Sequence, residues 1–272
     1  MNAHGDPAAE RVAETGSTND DLLARVHAAA ASGAASEAAT FAPCLLVAGR
    51  QTAGRGRLGR RWHAAAGASL TFSIAWPCAR GDLSGLSLAI GAALADALEA
   101  PGPGPARIGL KWPNDLWLVD EPTDTTAVPG RKLAGILVET APLGRSRVAV
   151  VGVGVNIAAQ EVAEAASGVA SLDEIEPGAT PETALARVTP ALFDALRRFD
   201  DTGFGPFADR FAARDLLRGR RIAGSGARGE IEGVAAGVGA DGTLLIATAA
   251  GTVAVASGEW RLARIEPAGS PC

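Results

Sequence analysis

The segment over residues 44–76, CLLVAGRQTAGRGRLGRRWHAAAGASLTFSIAW, decides the fold prediction. Its two ends, CLLVA over 44–48 and ASLTFSIAW over 68–76, are apolar runs of the kind that form strands. The residues between them, 49–67, are too rich in glycine and arginine to form a helix or a strand. We therefore predict a strand, a basic loop and a second strand.

The basic loop carries a charge opposite to that of the whole chain. The formal net charge is −5, yet the loop holds five arginines, at positions 50, 55, 57, 60 and 61. Glycine lets a backbone approach a ligand closely, and a guanidinium group binds phosphate through two hydrogen bonds. The loop therefore suits a polyphosphate, although an arbitrary arginine-rich stretch is more often a solvated surface loop.

Two nucleotide-binding motifs are excluded. The residues GRGRLG over 54–59 match G-x-G-x-x-G, but the dinucleotide fingerprint opens a helix and a strand follows here. The sequence has no G-x-x-x-x-G-K-[ST] loop.

His4, His27 and His63 lack metal-ligand spacing, and no G-x-S-x-G occurs, which disfavours zinc enzymes and serine hydrolases.

Composition and length indicate a globular, cytoplasmic protein. The chain has 272 residues, of which 47% are hydrophobic and 20% charged, enough for one large domain or a large and a small one. Three cysteines without a C-x-x-C pattern fit reduced thiols. No apolar stretch predicts a signal peptide or a membrane span. The net negative charge of the chain argues against nonspecific binding of nucleic acid, which requires a basic protein surface.

The remaining pattern predicts an α+β fold with two domains. We expect helices over 17–31, 83–100, 183–199 and 204–217, and strands over 108–111, 116–119, 132–139 and 148–157. From residue 220 to 264 the apolar period changes to two, which is typical of a small all-β barrel. The predicted division is a flexible N-terminal tail over 1–10, a catalytic domain over 11–217 and a barrel domain over 218–272.

Two further motifs hold charged side chains beside apolar strands. In KWPND over 111–115, proline keeps Trp112 extended and Asn-Asp favours a turn, which places a lysine and an aspartate at a strand end. In RKLAGILVE over 131–139, a lysine opens an apolar strand and could act as a catalytic cation near anions. Taken alone, each motif also fits an ordinary surface turn or strand edge.

Four motifs in this order resemble one family. They are STN over 17–19, Gln51 with GRGR over 54–57, KWPND over 111–115, and RKLAG over 131–135 with GVGVN over 152–156. From about Ala13 to its end, the sequence resembles the biotin protein ligases. The resemblance implies a mixed-sheet catalytic domain with flanking helices, followed by an SH3-like barrel.

The resemblance also implies a two-step reaction. Biotin and ATP, usually with Mg²⁺, give biotinyl-5′-adenylate and pyrophosphate. The biotinyl group then passes to a lysine of a biotin carboxyl carrier protein of acetyl-CoA carboxylase or a related enzyme. Only 16 residues precede Ser17, too few for the family's N-terminal DNA-binding module, so a ligase without repressor function is expected.

By matching motif position, the resemblance assigns site residues in three groups. Those expected to bind biotin are Ser17, Thr18, Asn19, Gln51, Gly54, Gly135, Gly152 and Gly154. Those expected to bind ATP or the adenylate are Arg55, Gly56, Arg57, Arg60, Trp62, Lys111, Asn114, Lys132 and Asn156. Arg55, Lys132 and Asp115 are the expected catalytic residues, with Asp115 also the expected Mg²⁺ ligand.

Several alternatives stay open at this stage. A lipoate-type ligase resembles this family in fold and adenylation chemistry, although the GRGR block favours biotin. A nucleic-acid-binding module could use the basic loop, but Trp62 is the loop's one aromatic residue. The sequence does not decide the role of the insertion over 119–130, whether Arg261 or Arg264 reaches the nucleotide, which carrier is modified, or whether the chain forms a homodimer.

Overall fold

The structure, a computed structural model, describes residues 6–32, 41–99, 105–120, 130–160, 168–226, 229–256 and 258–262. Most of the insertion over 119–130, Arg264 and the first five residues of the predicted tail lie outside the described residues.

The larger sheet is mixed, as the resemblance implies. Its strands are β1 (Ala9–Thr15), β2 (Cys44–Gln51), β3 (Ser69–Cys78), β4 (Ile108–Lys111), β5 (Asp115–Leu118), β6 (Arg131–Leu143) and β7 (Ser146–Asn156). They lie in the order β1-β2-β3-β7-β6-β5-β4. β1 is parallel to β2, and the other neighbours are antiparallel. The predicted pair of strands around the basic loop is confirmed as β2 and β3.

Helices cover both faces of this sheet. Helix α1 (Thr18–Ala31) begins as predicted, because Ser17 caps it by accepting a hydrogen bond from the backbone N–H of Asp20. The buried Leu22 and Val26 of this helix pack against one face of the sheet, where they contact a cluster of strand residues that includes Leu46 and Val150. Helices α2 (Leu86–Leu98) and α3 (Pro181–Thr202) pack together on the other face. The period-two alternation of the strands supplies apolar side chains to both layers.

Two sequence predictions are corrected here. A single helix over 204–217 is wrong: α4 covers only Ala208–Ala212, after a 3₁₀ turn over Gly205–Phe207. The chain then returns to the sheet edge, where the backbone N–H of Leu110 donates to the carbonyl of Arg214 at 2.7 Å. The predicted tail also includes Ala9 and Glu10, which pair with β2 in β1. β1 has the polar pattern of an exposed edge strand, so no apolar run marks it.

The C-terminal part forms a second, antiparallel sheet. Its strands are β8 (Arg221–Gly226), β9 (Gly229–Val238), β10 (Leu244–Thr248), β11 (Gly251–Val255) and β12 (Glu259–Leu262), in the order β11-β10-β9-β8-β12. Its apolar residues join the core of the first sheet, and the indole Nε1 of Trp112 donates to the carbonyl of Gly242 at 3.0 Å. The period-two prediction is confirmed; closure into an SH3-like barrel and a domain boundary after residue 217 stay predictions.

None of the helices in the described ranges combines the length and the apolar character needed to cross a membrane.

Candidate active site

A cavity of about 440 Å³ lies where the start of α1, the basic loop, β6 and β7 face the second sheet. Most of the predicted site residues line it: Ser17, Thr18, Asn19, Gln51, Arg55, Gly56, Arg57, Arg60, Trp62, Lys111, Asn114, Asp115, Lys132, Gly135, Gly152 and Gly154. Gly54 and Asn156 do not line it. Four motifs that lie far apart in the sequence therefore meet around one space.

A buried polar network forms the end of the cavity beside α1. The backbone N–H of Thr18 donates to Oε1 of Gln51 at 2.7 Å, and the Thr18 hydroxyl lies 3.0 Å from the same oxygen. The hydroxyls of Thr18 and Ser73 are 2.6 Å apart. Ser73 in turn donates to Oδ1 of Asn19 at 2.6 Å. Such a fixed set of polar groups suits recognition of a polar ring.

Side chains of the site pack directly against the backbone of glycines in β6 and β7. Gly135 and Gly154 face each other on β6 and β7. The indole of Trp62 covers this pair so closely that a Cβ at Gly154 would lie 2.2 Å from its Cε2 atom. A Cβ at Gly152 would lie 2.3 Å from Oδ1 of Asn19. The sequence thus uses glycine here because close approach to the strand backbone is required.

The basic loop closes on itself as a short hairpin. The backbone N–H of Trp62 donates to the carbonyl of Gly54 at 2.9 Å, and that of Gly56 donates to the carbonyl of Arg60 at 2.7 Å. A Cβ at Gly54 would lie 2.7 Å from the carbonyl oxygen of Trp62. Gly54 therefore shapes the hairpin and is not among the residues that line the cavity, and the biotin contact expected of it stays a prediction.

The guanidinium group of Arg55 is held by two carboxylates. Its guanidinium group donates to Asp20 in α1, and to both side-chain oxygens of Glu139 in β6 at 3.1 and 3.2 Å. These side chains are partly exposed to solvent. The predicted catalytic arginine is thus beside the cavity and paired with acids.

The predicted catalytic lysine also has a carboxylate partner. The Nζ atom of Lys132 lies 2.7 Å from Oδ1 of Asp115. Asp115 stands opposite Gly135 in the pairing of β5 with β6, and the Lys132 side chain reaches along β6 to this point, since a Cβ at Gly135 would lie 3.2 Å from its Nζ atom. Lys132 lies 5.8 Å from the centre of the Trp62 ring system, so a cation and an aromatic group share this part of the cavity.

Most of the residues expected to bind ATP line the cavity, whereas Asn156 lies behind a residue that lines it. The side-chain amide of Asn114 donates to the carbonyl of Ile136 at 2.8 Å, and its oxygen accepts a hydrogen bond from the guanidinium group of Arg57 at 3.4 Å. Asn114 therefore connects the basic loop to β6. The ammonium of Lys111 lies 4.5 Å from the Trp117 ring centre. Asn156, outside the cavity wall, donates to the carbonyl of Lys132 at 3.1 Å. Its position is that of a support for the strand that carries Lys132.

Arg131 anchors the start of β6 next to the site. It forms hydrogen-bonded ion pairs with Asp120 and Glu174. The guanidinium group holds the pKa of the Asp120 carboxyl below its usual value. Both carboxylates fix the residue that precedes Lys132, so Arg131 has a structural role here.

Sequence reasoning missed part of the cavity wall. Ser73 and Thr71 on β3 line it, as do Ala223, Gly224, Ser225, Glu230 and Gly258 of the second sheet. The sequence does contain a pattern that could have identified Thr71 and Ser73. Together with Ser69 they alternate with large apolar residues in a strand that is buried on both faces. Polar residues at every second position of a buried strand indicate a polar cavity on that face.

The carboxylates do not form an all-protein metal site. Within the described ranges, no group of three or more histidine, cysteine, aspartate or glutamate side chains could hold a metal ion. Asp115 can offer a carboxylate oxygen. Mg²⁺ commonly takes one or two protein carboxylates and completes its shell with substrate phosphates and water. The site therefore fits a Mg²⁺ ion that arrives with a nucleotide.

Comparisons with known proteins agree with this arrangement. The sequence model of the biotin/lipoate A/B protein ligase family matches residues 30–156. The chain is 35% identical over 262 residues to a biotin--[acetyl-CoA-carboxylase] ligase of Mycobacterium tuberculosis (strain ATCC 25618 / H37Rv), which covers 91% of this chain and 86% of that relative. The chain belongs to the biotin protein ligase family.

Two further comparisons define the extent of the similarity. The chain is 36% identical over 205 residues to the bifunctional ligase/repressor BirA of Escherichia coli (strain K12), a match that covers 74% of this chain but only 60% of BirA. The biotin protein ligase from Aquifex aeolicus in complex with biotin and ATP matches with a TM-score of 0.71 at 28% identity. That match covers 94% of this chain and 98% of the Aquifex chain.

Proposed function

We propose that the chain activates biotin with ATP as biotinyl-5′-adenylate and transfers the biotinyl group to a lysine of a biotin carboxyl carrier protein. The observation that carries this proposal is one cavity that joins the buried network around Thr18 to Lys132 and the basic loop. The Mycobacterium relative is named as a biotin--[acetyl-CoA-carboxylase] ligase, and the Aquifex relative was solved with biotin and ATP.

The cations suit the first step for an electrostatic reason. Attack of a carboxylate on the α-phosphorus of ATP brings two anions together and releases pyrophosphate, so positive groups must offset their repulsion. Lys132, Arg55 and Arg57 line the cavity and are the groups proposed to do so. The first two are now paired with carboxylates, and the incoming anions would replace those partners.

The second step needs a neutral amine. The carrier lysine attacks the acyl carbon of the mixed anhydride, AMP leaves, and the attacking nitrogen loses a proton. Asp115, a carboxylate in the cavity wall beside Lys132, is proposed to orient this amine and receive its proton, once Lys132 has turned to the phosphate. In the first step, before Asp115 takes up this role, bound Mg²⁺ would add positive charge at the phosphates, with Asp115 as its protein ligand.

The proposal includes a cytoplasmic location, where ATP and reduced thiols are available, and no repressor function.

Biotin-dependent exchange between labelled pyrophosphate and ATP tests the activation step. With Mg²⁺, we expect exchange that requires biotin and is absent with lipoate. Lipoate-dependent exchange would select the lipoate-type alternative, and no exchange in folded protein would reject adenylation. Addition of a purified carrier domain should then release AMP and label one carrier lysine, which mass spectrometry of the carrier would detect.

A further inference from the structure

The side chain of Lys132 does not point where a regular strand would direct it. Side chains of a strand alternate between its two faces, so Lys132 should share a face with Ala134 and Ile136. Those two residues belong to the buried core. The Nζ atom of Lys132 instead lies on the cavity side, 3.2 Å from the position of a Cβ at Gly135. The alternation is therefore interrupted between Lys132 and Gly135.

A β-bulge causes this interruption. In the pairing of β5 with β6, Leu116 stands opposite Ala134 and Trp117 stands opposite Lys132, which leaves Leu133 as an extra residue. Leu133 and Ala134 are consecutive, yet both are fully buried in the core. A bulge re-aims side chains, and bulges are over-represented beside active sites. Here the bulge turns Lys132 from the core to the cavity.

The residue before the lysine uses every hydrogen-bond donor of its side chain. A guanidinium group has five N–H donors, and all five of those of Arg131 have an acceptor. Two donate to the carboxylate of Asp120 at 3.0 and 2.8 Å, and two to that of Glu174 at 3.0 and 2.7 Å. The fifth donates to the carbonyl of Val169 at 3.3 Å. Arg131 therefore ties the start of β6 both to the end of β5 and to the segment over 168–174.

The same segment holds the backbone of Lys132. The N–H of Lys132 donates to the carbonyl of Gly168 at 3.4 Å. Its carbonyl accepts from the backbone N–H of Ala170 at 2.9 Å and from the side-chain amide of Asn156 at 3.1 Å. A bulge disrupts the regular ladder of hydrogen bonds, and these bonds replace the ladder here. Because a shift of one residue moves a side chain to the other face of a sheet, the direction of Lys132 depends on these contacts.

We propose that Arg131, Asp120 and Glu174, the arginine clamp, are positioning residues that maintain the bulge and thereby direct Lys132 into the cavity. The inference rests on the proposed function, because it assumes that Lys132 acts on the reacting anions. Without the arginine clamp, β6 can relax toward the regular alternation, which would turn the ammonium group away from the phosphates. A displacement of about 1 Å is enough to slow a reaction by about 10²-fold.

A double-mutant cycle of Arg131→Gln and Lys132→Ala tests this role in the full chain. The measured quantity is kcat of biotin-dependent pyrophosphate exchange at saturating ATP and biotin. We expect Arg131→Gln alone to lower kcat by about tenfold. When Lys132→Ala is already present, Arg131→Gln should change kcat by less than about twofold, because there is no lysine left to misdirect. A role confined to stability would instead lower kcat by the same factor in both backgrounds.

Arg187→Gln is the matched control. Arg187 of α3 pairs with Glu176 at 2.6 Å, and its side chain is 39% exposed, close to the 33% of Arg131. This pair is not part of the cavity wall. Arg187→Gln should therefore leave kcat at the wild-type value.

Chemical labelling measures the direction of the side chain at position 132 without reference to activity. In Lys132→Cys the new thiol faces the cavity and should react with iodoacetamide, which mass spectrometry of that peptide follows. Addition of Asp120→Ala, which breaks the arginine clamp, should slow the reaction severalfold as the thiol turns toward the core. Loss of a nearby carboxylate would by itself favour the reactive thiolate, so slower labelling cannot be an electrostatic effect. Asp120→Ala also replaces Arg131→Gln in the cycle should the latter not fold.

The outcomes separate this inference from the proposed function. A wild-type chain without exchange contradicts the proposed function, and the labelling rates then still support or overturn the direction assigned to Lys132. Exchange that Arg131→Gln leaves unchanged, or lowers equally in both backgrounds, contradicts only the inference, as does unchanged labelling after Asp120→Ala. An equal loss of kcat in Arg187→Gln would show a general effect of losing an ion pair and would also overturn it.

Discussion

The ammonium group of Lys132 lies 2.7 Å from Oδ1 of Asp115, so the lysine proposed to stabilise the reacting anions is neutralised by a carboxylate before they bind. Removal of the lysine should therefore have two consequences. The phosphoryl transfer loses a cation, and Asp115 is left as an added negative charge beside the incoming phosphates. Both effects slow adenylate formation.

We expect Lys132→Ala to lower biotin-dependent pyrophosphate exchange by about 10²-fold or more, the scale seen when one charge-stabilising donor is removed. The measurement is the initial rate of exchange at saturating ATP and biotin. Lys132→Arg keeps the charge and should retain more activity than the alanine variant. Exchange within a factor of three of wild type in Lys132→Ala would overturn the assigned role.

Gly154 provides a second test, because the Trp62 indole rests directly on its backbone. A Cβ there would lie 2.2 Å from the Trp62 ring, so Gly154→Ala must displace the indole and the loop that carries it. Such overpacking typically costs about 1–3 kcal/mol. We expect a lower melting temperature and a loss of exchange activity of about tenfold.

The matched control for this variant is Gly81→Ala, where an added Cβ would meet no atom within 4 Å. It should leave both the melting temperature and the exchange rate unchanged. A Gly154→Ala chain as stable and active as this control would mean that the Trp62 contact is not maintained in solution.

Local patterns predicted the elements that carry the site. The apolar runs of β2 and β3 and the polar glycine-rich segment between them are properties of neighbouring residues, so they are visible in the sequence. The start of α1 was predicted for the same reason, since a capping serine followed by acidic residues is a local signal. Each of these elements appears in the structure close to its predicted bounds.

The misses share a different cause. β1 forms because Ala9–Thr15 can pair with β2, and its own residues give no apolar period. The segment over 204–217 has an amphipathic pattern, but bonds between Arg214, Leu216 and Leu110 hold its end on β4 as extended chain. The contribution of the second sheet to the cavity likewise depends on packing between distant segments. Contacts of this kind are decided by the tertiary structure and override local preference.

Cys78 makes a prediction about the pH dependence of stability. Its side chain is buried at the end of β3, and this burial raises the pKa of the thiol to about 11. In the unfolded chain the thiol ionises near its ordinary pKa of about 8.5. The folded state therefore holds its proton more tightly, so its contribution to stability is complete below about pH 8.5 and is lost as the pH rises toward 11.

Urea unfolding at pH 8 and pH 10 in the presence of a reductant measures this effect. The free energy of unfolding should fall more over this range for the wild-type chain than for Cys78→Ala, which has no thiol to ionise there. Equal falls in the two proteins would mean that Cys78 is not protected in the folded state.

The ion pairs of Arg55 with Asp20 and Glu139 compete with any anion for the same guanidinium group. Asp20→Asn removes one competitor and should leave Arg55 freer to bind the adenylate. The side chains of Arg55 and Asp20 are partly exposed, so the pair is worth at most about 1 kcal/mol. We therefore expect dissociation of preformed biotinyl-5′-adenylate to slow by up to about fivefold.

Stopped-flow chase of labelled adenylate measures this rate, at low and at high salt, because screening should reduce the difference between variant and wild type. Glu10→Gln is the matched control: it removes an exposed carboxylate of β1 that pairs at 2.6 Å with Arg25 of α1, away from the cavity wall. It should leave the dissociation rate unchanged. Faster dissociation in Asp20→Asn would mean that Asp20 helps to hold Arg55 in its adenylate-binding position and does not compete for it.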